Sequence, residues 1–225
     1  MDLRIEAGYR HRLRALLAAR PAELREAQIA ELIGAARERS RSEEMPEARA
    51  LFILHEELRV REPRNVDSGD APRFLCDRSL GGLARWLRAA GYEACAAPAV
   101  AGHRLPDEAL RRGLVLLTTD TEVLERRIVG DGSLRVVWLP SALTTREKLA
   151  LVLRDLGLPL VEPRCMACGG VLVARSKQTV RPRIPPRTAL WQDEYFVCAA
   201  CDRLFWRGTH WERIVPALRE AAVPA

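Results

Sequence analysis

Two sets of residues in this chain have the types and spacing to do chemistry. The first is four cysteines in two pairs, "CMAC" (Cys165, Cys168) and "CAAC" (Cys198, Cys201), separated by 29 residues. The second is two aspartates that each close a short apolar run: Asp77 after "RFLC" and Asp120 at the end of "LVLLTTD".

Each C-x-x-C turns two thiolates towards one ion, and four thiolates complete a tetrahedral zinc shell. Gly169 and Gly170 permit the tight backbone turn that such a knuckle needs. The interval suits a zinc ribbon, whose hairpins fill it. A redox dithiol is the rival reading, but two pairs at opposite ends of one segment fit it poorly, and a reducing cytoplasm disfavours disulfides. A closed four-sulfur shell has no open position, so this zinc is expected to hold the segment together rather than to catalyse. Cys76 and Cys95 fall in predicted strands and read as small buried hydrophobes.

In an open parallel α/β sheet, ligands bind outside the carboxyl ends of the strands. Asp77 and Asp120 follow such strands, so they can converge on one edge and hold Mg²⁺ or Mn²⁺ through oxygen. Asp107 and Glu108 open the short helix between them, where one of the two can join the cluster. The competing reading makes both aspartates caps of the helices that follow.

Those positions require strands alternating with helices. "RFLC", "YEACAAP", "LVLLTTD" and "SLRVVWLP" read as strands, and "GGLARWLRAAG", "LPDEALRRG", "TEVLERRIV" and "TTREKLALVLRDLG" as helices. This alternation predicts parallel βαβ units in a three-layer α/β fold over 73–160. Ahead of it, residues 1–62 read as three helices and 63–72 as a polar linker. Residues 161–225 read as the ribbon with a C-terminal helix.

The net charge of +6 and pI near 9.3 suit a nucleic-acid partner without establishing one. The charge is nearly all arginine: Lys148 and Lys177 are the lysines. No apolar run reaches the roughly 20 residues of a membrane span, and the charged N-terminus does not resemble a signal peptide. A cytoplasmic protein is expected.

"RFLCDRSLGGLARWLRAAGY", then "PDEAL", "GLVLLTTD" and paired C-x-x-C knuckles ending in "FWRGTHWER", resemble the RNase family named after the C-terminal domain of the mut-seven exonuclease. The likeness covers about residues 73–215 and implies a PIN-like nuclease domain carrying a zinc ribbon. It implies metal-dependent RNA cleavage, with Asp77 as the first-strand acid, Asp120 as the acid of the T-x-D motif and Asp107, beside Glu108, as the helix acid. Thr119 stands where the family motif often has a basic residue. No fourth acid is obvious: Glu122 and Glu125 are candidates, and Asp131 reads as a turn residue.

Arg78, Arg85 and Arg88 follow the first acid and are candidate phosphate contacts, the last two a helical turn apart. Arg207 and His210, beside Trp206 and Trp211, are candidate RNA contacts in the ribbon. The tryptophans can equally pack the ribbon onto the nuclease domain. "RPRIPPR" offers a basic arm. The leading expectation is a metal-dependent ribonuclease assisted by its ribbon. A non-catalytic RNA- or ribosome-binding protein is the alternative. A third reading is a toxin-like nuclease restrained by a protein partner docked on the N-terminal helices.

Overall fold

The computed structural model of the chain describes residues 3–61, 71–97 and 104–222. Most of the expected linker, residues 63–70, lies outside them.

Three helices come first: α1 (Leu3–Leu16), α2 (Ala22–Ser42) and α3 (Glu47–Arg61). Their apolar stripes meet around Tyr9, Leu13, Ile29, Ile33 and Leu51, which are buried together. Trp138, far along the chain, is buried in the same cluster.

The α/β part begins with β1 (Phe74–Cys76), α4 (Gly81–Ala89), β2 (Ala94–Ala96), α5 (Leu105–Arg111) and β3 (Val115–Thr118). It continues through α6 (Arg127–Gly130), β4 (Val136–Trp138) and α7 (Thr145–Asp155). The strands form a parallel sheet in the order β2-β1-β3-β4. Successive residues on a strand face opposite ways. Phe74, Cys76, Leu117 and Val137 pack under α4 and α7, while Leu75, Leu116 and Val136 pack towards α5 and α6. Three layers result, as expected.

Local signals explain the helix ends. Gly91 takes a φ of 100° just past α4, a conformation that a side chain disfavours. Thr144 caps α7 in a full capping box with Glu147. The segment "TEVLERRIV" differs from expectation. It is a 3-10 turn (Glu122–Glu125) and the short α6, because Arg126 between them is extended.

Beyond α7 lie β5 (Leu172–Arg175), α8 (Lys177–Val180), β6 (Tyr195–Cys198) and β7 (Leu204–Trp206), the strands forming a small antiparallel sheet. The last helix, α9 (Thr209–Ala222), packs on α7, and its Ile214, Leu218 and Ala221 join the core of the α/β part. The chain thus leaves the α/β core to build the small antiparallel sheet and then returns to it. Among the described residues, no helix is long and apolar enough to cross a membrane.

Candidate active site and metal centre

β1 and β3 are neighbours, with Cys76 opposite Leu117, so the residues just beyond them meet at the carboxyl edge. Asp77 is 8% exposed there. Its Oδ1 accepts from the backbone N–H of Ser79 at 2.9 Å and the Ser79 hydroxyl at 2.6 Å. Its Oδ2 accepts from the backbone N–H of Thr119 at 2.6 Å and the Thr118 and Thr119 hydroxyls at 3.1 and 3.2 Å. A carboxylate offers roughly four lone-pair sites, and these donors engage all of them. The two backbone donors fix the carboxylate; the three hydroxyls can rotate away.

Asp120 is exposed, and its Oδ1 accepts from the Glu122 backbone N–H at 2.9 Å. Both aspartates therefore cap the turns behind them, and both also line one cleft of about 280 Å³. Arg78, Ser79, Thr118 and Thr119 line it as well. All its acidic and hydroxyl ligand atoms are oxygen, the donor set that Mg²⁺ and Mn²⁺ take.

The acids of α5 point elsewhere. Asp107 receives a bond from Arg126 at 3.1 Å, and Glu108 is engaged by Arg111 at 2.7 Å. Among the described residues, Asp77, Asp120, Asp107 and Glu108 do not form a group of three whose ligand atoms lie within 4.8 Å. Asp131 is a turn residue, accepting from the Ser133 backbone N–H at 3.0 Å.

Two supports of the cleft escaped the sequence. Lys148 of α7 is tethered to the Ser141 and Leu143 carbonyls at 3.1 and 2.6 Å. Burial pulls its pKa below the usual lysine range, while the negative charge of Asp77 pulls the other way. Trp138 of β4 donates its indole N–H to the Thr119 carbonyl at 3.2 Å. Its ring lies against Gly8 of α1, where a Cβ would come within 2.4 Å of it. Neither partner is near in sequence, so no local pattern announced the contact.

The four cysteines meet as expected. Cys165 and Cys201 sulfurs are 3.7 Å apart, and those of Cys168 and Cys198 are 3.4 Å apart. Zn–S bonds of about 2.3 Å in a tetrahedron give sulfur separations of about 3.8 Å, so the set fits zinc. Despite some desolvation, amide N–H groups of Cys201 and Ala200 hold the Cys198 thiol down to about 6. Gly169 and Asp202, each just past a pair, adopt positive φ.

The candidate RNA contacts separate. Arg78 is exposed at the cleft, and Arg85 is exposed in a groove of about 1000 Å³ that His210 also lines. Arg207 lies 5.6 Å from the Phe196 ring centroid and 3.8 Å from Glu194. Arg88 corrects the expectation. It is buried, donating to the Ala94 carbonyl at 2.7 Å and to the Met166 and Ala167 carbonyls of the first knuckle at 3.1 and 2.9 Å. Those bonds turn it inward, away from any phosphate, and tie α4 to the four-cysteine centre.

On sequence alone His55 reads as an ordinary surface or boundary residue. It is buried, with Nδ1 3.5 Å from Glu56 Oε1, near Asp155 and Arg12 at the seam between the N-terminal helices and α7. Arg12 bridges that seam, binding Asp155 at 2.5 Å and the Trp138 carbonyl at 2.9 Å.

No curated protein and no solved structure matches the chain. The family model described as the Mut7-C RNAse domain matches residues 72–218, which hold the strand-end aspartates, the four cysteines and most of α9. The chain therefore belongs to the Mut7-C RNAse domain family.

Proposed function

We propose that this protein is a divalent-metal-dependent ribonuclease that hydrolyses RNA phosphodiester bonds in the Asp77–Asp120 cleft, with a structural zinc in its ribbon. The observation that carries this reading is that the two strand-end carboxylates line one cleft together with the hydroxyls of Ser79, Thr118 and Thr119. Asp77, Asp120 and the hydroxyls around them would hold Mg²⁺ or Mn²⁺, which supplies charge neutralisation and a more acidic water. Asp77 keeps its orientation through the Ser79 and Thr119 backbone N–H groups. Arg78 places a positive charge at the cleft for the substrate phosphate. In the reaction, a water oxygen bonds to phosphorus as the bond to the ribose oxygen breaks. The water proton leaves to a base and the departing oxygen takes up a proton, leaving one phosphate end and one hydroxyl end.

A second reading, an RNA-binding protein that does not cut, is favoured by the full set of donors on Asp77 and by the acids of α5 pointing elsewhere. The two readings part in one assay. Zinc-loaded full-length protein is incubated with end-labelled RNA in Mn²⁺, in Mg²⁺, or with no divalent ion added. Cutting that requires the ion supports the ribonuclease; binding without cutting under every condition supports the second reading.

A further inference from the structure

Two hollows open where the ribbon meets the α/β part, of about 410 and 1000 Å³, and they share a wall of Met166, Phe205, Trp206 and Trp211. Arginines line both: Arg164 and Arg207 the smaller, Arg85 and Arg203 the larger, where His210 stands beside them. The acid among the lining residues is Glu162. The guanidinium groups of Arg85 and Arg203 make no hydrogen bond or ion pair among the described residues. Trp191 lines the larger hollow yet is 56% exposed. Gly208 lies between this indole and that of Trp206. A Cβ there would stand 3.5 Å from the Trp191 ring and 2.9 Å from Trp206, so glycine leaves the space for both rings.

The exposed indole of Trp191 and the half-buried one of Trp206, interleaved with unpaired guanidiniums, are what unpaired bases and their phosphates require. Bases stack on aromatic faces, and a positive groove tracks the backbone. A duplex keeps its bases inside and cannot use such a wall. We propose that this groove is a single-strand RNA track, with bases stacked on Trp191 and Trp206 and phosphates held by Arg85 and Arg203. The proposal rests on the ribonuclease reading for its substrate and adds the form of RNA taken. Arg85 lies eight residues beyond Asp77, three in the 3-10 turn and five in α4, a separation of at most about 13 Å at roughly 2.0 and 1.5 Å per residue. That is roughly three to four stacked nucleotides at about 3.4 Å each. The groove would thus hold RNA a few nucleotides from the bond being cut.

The test is fluorescence anisotropy with zinc-loaded full-length protein, no Mg²⁺ or Mn²⁺ added, and a labelled oligouridine against a blunt RNA duplex of equal length. The single strand is expected to bind more tightly. Trp191→Ala, which removes an exposed side chain, should weaken it about 5- to 150-fold with the melting temperature unchanged. Arg203→Ala should lower the salt slope by about 0.7. Equal binding of duplex and single strand, or wild-type affinity in both variants, overturns the track. Cutting that persists while both variants bind normally sinks the groove and leaves the ribonuclease. Groove-dependent binding by a wild-type protein that never cuts does the reverse. Displacement of the oligouridine by an apolar peptide, with no response to salt, would make the groove a protein-docking site and also overturn the proposal.

Discussion

The backbone N–H of Thr119 donates to Asp77 Oδ2 at 2.6 Å, joining the ends of two neighbouring strands through the acid itself. The carboxylate thus acts as a lock of the sheet edge and as the candidate ligand at once.

Asp77→Asn is therefore expected to cost stability as well as activity. A carboxamide presents N–H to one of the two backbone donors, and a buried donor left unmatched costs about 1–3 kcal/mol. Thermal melting should fall for Asp77→Asn and stay near wild type for the exposed Asp120→Asn. Equal melting temperatures for the two variants would contradict the lock.

Arg85 and Arg88 stand three residues apart on α4 and should behave oppositely. Arg88→Ala strips donors from three carbonyls, with bonds to a charged group worth about 1.5–3 kcal/mol each. It should lower the melting temperature markedly. Arg85→Ala, at an exposed position, should change stability by less than about 0.5 kcal/mol and weaken RNA binding. Denaturation and RNA titration of the two variants check both halves.

Acidification should loosen the seam between the N-terminal helices and α7. Burial lowers the pKa of His55 below its ordinary 6.5, so the unfolded chain binds its proton more readily. Stability from this group is present above about pH 6.5 and is lost as pH falls. Burial disfavours the Glu56 charge, but the neighbouring His55 ring and the bonds from Arg59 and Arg154 hold its carboxyl down to about 2 from 4.5. Its contribution is present above pH 4.5 and is lost towards pH 2. The free energy of unfolding should decline from pH 7 to 5, by up to about 1.4 kcal/mol per pH unit for each extra proton, and the melting temperature should fall with it. His55→Gln should flatten that slope, leaving the share of His11, whose pKa burial also lowers. An unchanged slope would assign the effect elsewhere.

Gly8→Ala should reach the cleft from outside it. Its methyl would collide with the Trp138 ring, an overpacking that costs about 1–3 kcal/mol. The same indole holds the Thr119 carbonyl, so cutting should fall further than it does in an equally destabilised variant at Ile29. A loss of activity that merely tracks stability would confine Gly8 to packing.

Removing zinc should unfold the ribbon and strip Arg88 of two of its acceptors. One zinc per chain is expected by metal analysis, and Cys168→Ser should abolish it while lowering the melting temperature of the α/β part. Metal-free protein that melts like wild type would break the link between knuckle and core.

The strand-helix alternation and the paired cysteines were legible because periodicity and C-x-x-C spacing are local. Asp77 and Asp120 were legible too, since a polar residue closing a buried strand marks the carboxyl edge. What failed depended on partners far along the chain. Arg88 has the helical spacing of a phosphate contact, and its burial follows from where residues 166–167 fold back. Trp138 reads as an ordinary strand residue until α1 covers it. His55 looked unremarkable because the charged seam around it is assembled from α1, α3 and α7. The segment after Asp120 has a helical pattern, but extended Arg126 divides it, a choice of local backbone that periodicity does not report.

The central claim, that the Asp77–Asp120 cleft cuts RNA, is tested most directly by comparing wild type with Asp120→Asn on single-stranded RNA in Mn²⁺. Both proteins should first be shown to carry zinc and to melt alike. The account predicts cutting by wild type and a loss of at least about 100-fold in the variant, with RNA binding retained. Undiminished cutting by Asp120→Asn would place the chemistry outside this cleft and contradict the account.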